Sequence, residues 1–253
     1  MQKIKKVLIF GYGDLGSRVK ALEANYNIKV YGVSRRLSEN EDSLYRWDWM
    51  TNTDLPQDLL DIEWDAIVII LKPTSYDELG YYEGYCKGLT QLVQAIQQAQ
   101  YRRVIFVSST RVYSYKNNPI GKDTKPTPDD FRGHKILEAE SLAIRSFANK
   151  LTILRFSGLY KDALDLSNYS PQTSRQLLPS ENINRLSREA AASIIASVST
   201  VLSLEQEVLI CSEPTFNCKD YFESRFPDYR FNDSFTCKEQ GKIFIKEALY
   251  NSC

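Results

Sequence analysis

The chain has 253 residues, 43% hydrophobic and 25% charged, which is the composition of a folded protein large enough to bury a substantial core. Its 32 basic and 32 acidic residues balance, so no general electrostatic attraction to nucleic acid or to an anionic membrane is expected. Five scattered cysteines and a single histidine, His134, argue against a metal site or a disulfide framework and favour a reducing cytoplasm.

Strands and helices alternate along the first part of the chain. The opening run MQKIKKVLIFGYG is too short in its apolar part for a signal peptide or a membrane span, and it predicts a first strand instead. Buried strands are predicted at KKVLIFG, IKVYGVS, WDAIVIILK, RRVIFVSST and KLTILRFSGLY, and helices at DLGSRVKALEAN, DELGYYEGYCKGLTQLVQAIQQAQ and DFRGHKILEAESLAIRSF. This alternation predicts an α/β fold of the Rossmann type, with a doubly wound, mainly parallel sheet covered on both faces.

The alternation loosens after residue 155. Residues 160–182 have few apolar side chains and predict a loop long enough to serve as a substrate lid. The stretch SREAAASIIASVSTVL predicts a helix capped by Ser187 with Glu189 in its first turn, and QEVLICS predicts a further strand. We therefore predict a Rossmann core at 1–155 and a small C-terminal subdomain, a substrate-side lobe at 156–253, packed on the core as one globular unit.

Three glycines follow the first predicted strand directly and open the first helix. Gly11, Gly13 and Gly16 form G-x-G-x-x-G, in which the glycines allow a tight turn, the close approach of a pyrophosphate and close helix–strand packing. The free N–H groups of the helix N-terminus would then bind the phosphates. We assign the loop to dinucleotide binding rather than to a structural turn, with the residues Gly11, Tyr12, Gly13, Asp14, Leu15 and Gly16.

The end of the second predicted strand indicates which dinucleotide binds. An acidic residue there usually holds the ribose 2′-hydroxyl, but VYGVSRR contains none. Ser34, Arg35 and Arg36 suit a 2′-phosphate instead, because guanidinium groups bind a phosphate with paired hydrogen bonds. We predict NADP in preference to NAD. The alternative is a solvated basic turn without a role in binding.

Five segments in chain order carry a resemblance to a known family. FGYGDLG, VYGVSRR, RVIFVSSTRVY, FRGHKILEAE and LTILRFSGLY resemble the short-chain dehydrogenase/reductase superfamily, and most closely the atypical members of its NAD-dependent epimerase/dehydratase family. NRLSREAAASIIAS also resembles the helix that follows the substrate loop in that family. Two features depart from its extended members. Phe10 stands where they have the first glycine of G-x-x-G-x-x-G, and the C-terminal part is short.

The resemblance implies further site residues. Asp48 matches an aspartate that contacts the adenine ring, and Lys135 matches the lysine that binds the nicotinamide ribose. Ser109 matches the serine or threonine that polarises the substrate carbonyl or hydroxyl, with Thr110 as the neighbouring candidate. Arg155 and the FSGLY segment after it match the part that closes over the nicotinamide. The other cofactor-binding residues implied are Leu71, Lys72, Pro73 and Ser108.

The resemblance also implies that Phe131 replaces the catalytic tyrosine, four residues before Lys135. That tyrosine transfers a proton as the hydride moves, which needs an ionisable O–H that phenylalanine lacks. Cofactor binding need not suffer, because Lys135 and the glycine loop do not depend on this hydroxyl. Tyr113, Tyr115 and His134 are weaker candidates for a substitute acid. The alternative is that Phe131 is ordinary core packing and that its spacing to the lysine is chance.

Two functions stay open on these residues. The first is an NADP-dependent oxidoreductase or epimerase/dehydratase acting on a small hydroxylated or sugar-like substrate through Ser109, Lys135 and an unidentified acid. The second is a catalytically inactive NADP-binding protein with a redox-sensing or regulatory role. The β-hydroxyacid dehydrogenases share G-x-G-x-x-G, but the second half of this chain is not all helical. In the resembled family the helices at 81–99 and 131–148 pair across dimers, so we expect a monomer or a homodimer.

Overall fold

The computed structural model describes residues 3–37, 42–52, 54–114, 119–161, 182–201, 207–213 and 216–217. The strands in chain order are β1 Lys5–Phe10, β2 Ile28–Ser34, β3 Leu44–Arg46, β4 Ala66–Ile70, β5 Val104–Ser109, β6 Leu151–Phe156, β7 Gly158–Tyr160, β8 Asn182–Ile183, β9 Arg185–Ser187, β10 Glu207–Cys211 and β11 Phe216–Asn217.

Helices connect these strands. They are α1 Asp14–Ala21, α2 Glu23–Tyr26, α3 Gln57–Leu60, α4 Glu78–Tyr81, α5 Gly88–Ala95, α6 Phe131–Phe147 and α7 Arg188–Thr200, with a π-helical segment Tyr82–Lys87 joining α4 to α5 and 3₁₀ turns at Thr110–Val112 and Ala148–Lys150. Among the residues that the structure describes, no helix is long and apolar enough to cross a membrane.

A parallel sheet forms the centre of the molecule. Within the described ranges it has seven strands in the order β10-β6-β5-β4-β1-β2-β3. The chain starts in the middle at β1, runs outward through β2 and β3, and returns to build β4, β5 and β6 on the other side. The direction of winding reverses between β1 and β4, and ligands bind at the carboxyl ends of such strands.

Both faces of the sheet are covered, which explains the continuous apolar runs at residues 7–10 in β1 and Ala66–Ile70 in β4. Side chains alternate along β1, so that Leu8 and Phe10 enter one core while Val7 and Ile9 enter the other. The first core lies beneath α5 and α6. The second core lies beneath α1 and α7, with Leu15 among its members.

The predicted α/β Rossmann architecture is confirmed. The cap of α7 is also as predicted, since Ser187 Oγ accepts a hydrogen bond from the Ala190 N–H at 3.2 Å. Both α7 and β10 come from beyond residue 155, and they extend the sheet and cover one of its faces. The division of the chain at residue 155 stays a prediction. Most of the predicted loop at 160–182 lies outside the described residues.

Candidate functional site

The glycine loop lies at the carboxyl end of β1, where the winding reverses. Gly11 has a φ of 80°, and a side chain there would collide with the carbonyl oxygen of Ile70. Gly16 packs against the ring of Tyr12, which an added Cβ would approach to 2.8 Å. At Gly13 an added Cβ would meet nothing nearer than 3.9 Å. Steric constraints within the protein therefore explain why glycine stands at positions 11 and 16. Gly13 is under no such constraint and leaves open space at the N-terminus of α1.

A cleft opens above this loop and brings together many of the predicted cofactor residues. Its walls come from the segments that follow β1, β2, β3 and β4. The predicted residues that line it are Gly11, Tyr12, Gly13, Ser34, Arg35, Arg36, Asp48, Leu71 and Lys72. Leu15 and Gly16 lie in α1 and are buried, and Asp14 is exposed at its first position. The cofactor-binding role of these residues stays a prediction.

The cleft carries more positive than negative charge. Arg35, Arg36 and Lys72 are exposed, and none of the three forms an ion pair with a residue that the structure describes. Asp48 is the acidic group on the lining, and its Oδ1 accepts a hydrogen bond from the Met50 N–H at 3.0 Å. This bond fixes the carboxylate at the turn after β3. A cationic cleft with space at a helix N-terminus suits the phosphate groups of a dinucleotide.

Five residues that line the cleft were missed by the sequence analysis, and one of them, Ile70, is the last residue of β4. Trp49 and Met50 follow Asp48, and Thr74 and Gly84 come from the other side. A side chain at Gly84 would collide with the carbonyl oxygen of Lys72, so only glycine allows the π-helical segment to approach that loop. A pair of alternating aromatic residues at 47 and 49 is a sequence signal for this wall. The π-helical insertion has no equivalent signal.

The candidate residues after β5 differ in their access to solvent. Ser109 is partly exposed at the carboxyl end of the strand, and its Oγ accepts a hydrogen bond from the Arg111 N–H at 3.2 Å. Thr110 is buried. Tyr113 is 1% exposed and its hydroxyl accepts a hydrogen bond from Arg155 at 2.6 Å. Burial raises the pKa of Tyr113, which makes it a poor acid at neutral pH. The other tyrosine candidate, at position 115, lies outside the described residues.

A buried polar network lies behind these strand ends. Ser108 Oγ donates to Glu140 Oε1 at 2.5 Å. Arg155 donates through Nε to the same oxygen at 2.9 Å and through Nη2 to Oε2 at 2.6 Å. The side chains of Ser108 and Arg155 thus point into the protein, where they join β5 and β6 to α6. Their predicted contacts with a cofactor stay predictions.

The start of α6 holds the remaining candidates. Phe131 is partly buried, with its ring edge-on to Tyr81 at 5.8 Å between centroids. Lys135 Nζ lies 3.3 Å from Glu138 Oε2 and 3.9 Å from Glu78 Oε1. A hydrogen bond from the lysine to Glu138 raises the pKa of Lys135. Both side chains face the helix that begins with α4, and neither lines the cleft described above.

His134 is exposed on the same helix. Its backbone N–H donates to the Asp130 carbonyl at 3.1 Å, and the Asp130 side chain caps the helix at the Gly133 N–H. Adjacent residues in a helix point about 100° apart. His134 and Lys135 therefore do not share a face, and a catalytic role for His134 stays a prediction.

Comparisons with solved structures show the same fold in proteins of low sequence identity. A protein from Methylobacillus flagellatus assigned to the NAD-dependent epimerases/dehydratases is 24% identical, with a TM-score of 0.72 over 97% of this chain and 90% of its own. MoeE5 in complex with UDP-glucuronic acid and NAD is 17% identical, with a TM-score of 0.74 over 96% and 91%.

A third neighbour is a variant of the UDP-glucuronic acid 4-epimerase from Bacillus cereus in which phenylalanine replaces one tyrosine. It was solved in complex with UDP-4-deoxy-4-fluoro-glucuronic acid and NAD, and is 19% identical with a TM-score of 0.69 over 96% of this chain and 87% of its own. No curated protein sequence matches significantly. The model of the NAD dependent epimerase/dehydratase family matches residues 7–149, more than half of the sequence, and the chain therefore belongs to that family.

Proposed function

We propose that this protein binds NADP(H) in the cleft and acts as an oxidoreductase or epimerase/dehydratase-like enzyme on a small hydroxylated or sugar-like substrate, without the usual tyrosine acid. The observation that carries the proposal is the meeting of the glycine loop with Arg35 and Arg36 in one cleft. The pyrophosphate would bind at the N-terminus of α1 and the adenosine ribose toward the arginines. When bound, the cofactor supplies hydride transfer.

The phosphorylated cofactor is favoured by the charges of the cleft. Neighbouring structures hold NAD, so the unphosphorylated cofactor is the competing possibility. In this chain, however, β2 ends at Ser34 and is followed by Arg35 and Arg36, with Lys72 as a third cation across the cleft. A plain ribose hydroxyl would leave these cations without an anionic partner among the described residues, whereas a 2′-phosphate would pair with the guanidinium groups.

Cofactor preference is tested by calorimetric titration of NADPH and NADH into the wild type and the Arg35→Ala/Arg36→Ala variant. We expect NADPH to bind at least about tenfold more tightly than NADH to the wild type, which corresponds to about 1.4 kcal/mol. The double substitution should remove this difference and leave the NADH affinity nearly unchanged. Equal affinities in the wild type, or tighter binding of NADH, would overturn the assignment to NADP.

The substrate class is proposed from the residues beside the cofactor cleft and from the neighbours. Ser109 lies partly exposed at the end of β5. This strand neighbours β4, and the residues that follow β4 line the cleft. The neighbours include enzymes in complex with UDP-sugars. The Bacillus cereus variant that lacks one tyrosine hydroxyl was obtained with both NAD and a substrate analogue, so a missing hydroxyl is compatible with ligand binding in that protein. We propose a sugar-like substrate for this chain on these grounds.

A second candidate function is a catalytically inactive NADP-binding protein with a redox-sensing or regulatory role. It is favoured by Phe131, by the burial of Tyr113 and by the contacts of Lys135 with two glutamates. Incubation with NADP⁺ or NADPH and a panel of nucleotide sugars, followed by nicotinamide absorbance and product chromatography, separates the two. Turnover supports the enzyme, whereas NADPH binding without turnover or substrate binding supports the inactive protein. We also propose that the protein is located in the cytoplasm and is a monomer or a homodimer.

A further inference from the structure

Two helix N-termini meet beside the glycine loop. α1 begins at Asp14 and α7 begins at Arg188. Arg188 donates a hydrogen bond through Nη1 to Asp14 Oδ2 at 3.0 Å, and Arg18 Nε lies 3.4 Å from the same oxygen. Arg18 also contacts Glu189. Ion pairs thus connect α1, the predicted phosphate-binding helix, to the first turn of α7, which lies far along the chain.

The backbone at Arg188 is held in place by the residues before it. Ser187 caps α7 at the Ala190 N–H. The Ser187 N–H in turn donates to Glu213 Oε1 at 3.1 Å, and Tyr160 donates its hydroxyl to the same carboxylate at 2.8 Å. Apolar residues of α7 and α1 pack in the same core. Arg188 is therefore presented at a defined place beside the glycine loop.

The charge of Asp14 opposes anion binding at this helix, and a nearby arginine offsets it. Burial raises the pKa of the Asp14 carboxyl, but the hydrogen bonds and charges of Arg18 and Arg188 outweigh this and hold the pKa below its ordinary value. Asp14 is consequently ionised at neutral pH. A carboxylate at the first position of α1 repels a pyrophosphate bound to the adjacent N–H groups, unless nearby cations offset it.

Arg188 has donors to spare for such an anion. Its guanidinium carries five N–H donors, and Asp14 is the acceptor it contacts among the described residues. Its side chain is 30% exposed, so the protein does not enclose it. Arg18 lies one turn further along α1, away from the free N–H groups, and is shared between Asp14 and Glu189.

We propose that Arg188 is a further phosphate-binding residue of the dinucleotide site, which contacts the pyrophosphate while Asp14 holds its guanidinium beside the loop. The inference rests on the proposed function. It means that the segment after the substrate-side loop contributes directly to cofactor affinity, in addition to the residues of the first strand–turn–helix unit.

The test compares NADPH affinity, measured by calorimetry, in the wild type, Arg188→Gln, Asp14→Asn and the Asp14→Asn/Arg188→Gln double variant. Arg18→Gln is the matched control, because it removes an arginine from the same cluster at a greater distance from the helix N-terminus. Circular dichroism and thermal unfolding establish that each variant is folded. We expect Arg188→Gln to weaken NADPH binding roughly tenfold, and Arg18→Gln to weaken it less than about threefold.

The double variant decides between contact and charge compensation. If Arg188 contacts the pyrophosphate, its replacement still weakens binding about tenfold in the Asp14→Asn background. If Arg188 only offsets the charge of Asp14, its replacement has no effect in that background, which overturns the proposal. Equal losses in Arg188→Gln and Arg18→Gln also overturn it. A wild type that binds neither NADPH nor NADH refutes the proposed function itself, and the inference falls with it.

Discussion

The carboxylate of Glu140 accepts two hydrogen bonds from the guanidinium of Arg155, at 2.9 and 2.6 Å, in a part of the protein that solvent does not reach. Ser108 and Tyr113 complete the network from β5 and the turn after it. Because Glu140 lies on α6, the network fixes that helix against the carboxyl ends of β5 and β6. The positions of Phe131 and Ser109 relative to each other depend on this connection.

The first prediction concerns the stability that this buried pair provides. Glu140→Gln removes the charge and leaves Arg155 buried without its counter-ion, which should cost about 3–5 kcal/mol of the free energy of unfolding. Urea denaturation measures the loss. Glu138→Gln is the matched control, since Glu138 is an exposed carboxylate on the same helix and its pair with Lys135 should contribute less than about 1 kcal/mol. A loss of less than about 1 kcal/mol in Glu140→Gln as well would show that the buried network does not stabilise the fold.

The second prediction separates a phosphate-binding loop from a structural turn. A methyl group added at Gly13 meets no neighbouring atom within 3.9 Å, so Gly13→Ala should change the free energy of unfolding by less than about 1 kcal/mol. The same methyl group would occupy the space above the N-terminus of α1 and should weaken NADPH binding at least about tenfold.

Gly11→Ala is the contrasting variant. Its positive φ and its collision with the Ile70 carbonyl should destabilise the protein by about 2 kcal/mol or more, whatever the loop binds. Thermal unfolding and calorimetric titration are compared for both variants. Unchanged NADPH affinity in Gly13→Ala would contradict phosphate binding at this loop.

The third prediction uses the tryptophans as reporters of the cleft. Of the three in the chain, Trp64 and Trp47 are buried at 0% and 7% exposure, whereas Trp49 lines the cleft. Oxidised NADP⁺ does not absorb tryptophan emission and quenches only at short range, so its binding should quench the emission of Trp49 chiefly. In Trp49→Phe most of the quenching should disappear while calorimetry still detects binding. Quenching of undiminished size in this variant would place the dinucleotide elsewhere.

The Rossmann sheet could be predicted from the sequence because buried parallel strands and the glycine loop are local patterns. Residues 5–10 and 28–34 lie in strands, as the sequence analysis predicted. The residues of the cleft could be predicted where they directly follow a strand, as Arg35 and Arg36 follow β2, or where the family resemblance points to them, as for Asp48. Trp49 was missed because its position depends on the fold of the turn after β3, a three-residue strand that carries little sequence signal.

Longer-range features could not be predicted for a different physical reason. The pair between Asp14 and Arg188 joins residues that are 174 positions apart, and no periodicity relates them. The π-helical segment at 82–87 inserts residues into a helix whose apolar spacing predicted an ordinary α-helix. Sequence reasoning identified Lys135 by its spacing from position 131, but its contacts with Glu78 and Glu138 depend on how α4 packs against α6.

The last prediction concerns the hydroxyl that Phe131 lacks. Its ring lies edge-on to Tyr81 and packs near Val112 and Ile136, so a tyrosine in its place would keep the apolar contacts and add one hydroxyl at the rim. Lys135 follows one helical turn later, and a nearby cation lowers the pKa of a phenol.

General acid–base catalysis contributes a factor of about 10²–10⁴ to the reaction rate. We therefore expect Phe131→Tyr to convert nucleotide sugars faster than the wild type by a factor within that range, measured by product chromatography and, for net oxidation or reduction, by nicotinamide absorbance with NADP⁺ or NADPH present. Phe131→Leu, which adds no hydroxyl, is the matched control and should remain at the wild-type rate. Equal turnover in all three proteins would show that proton transfer does not pass through position 131 and that another group of the site performs it.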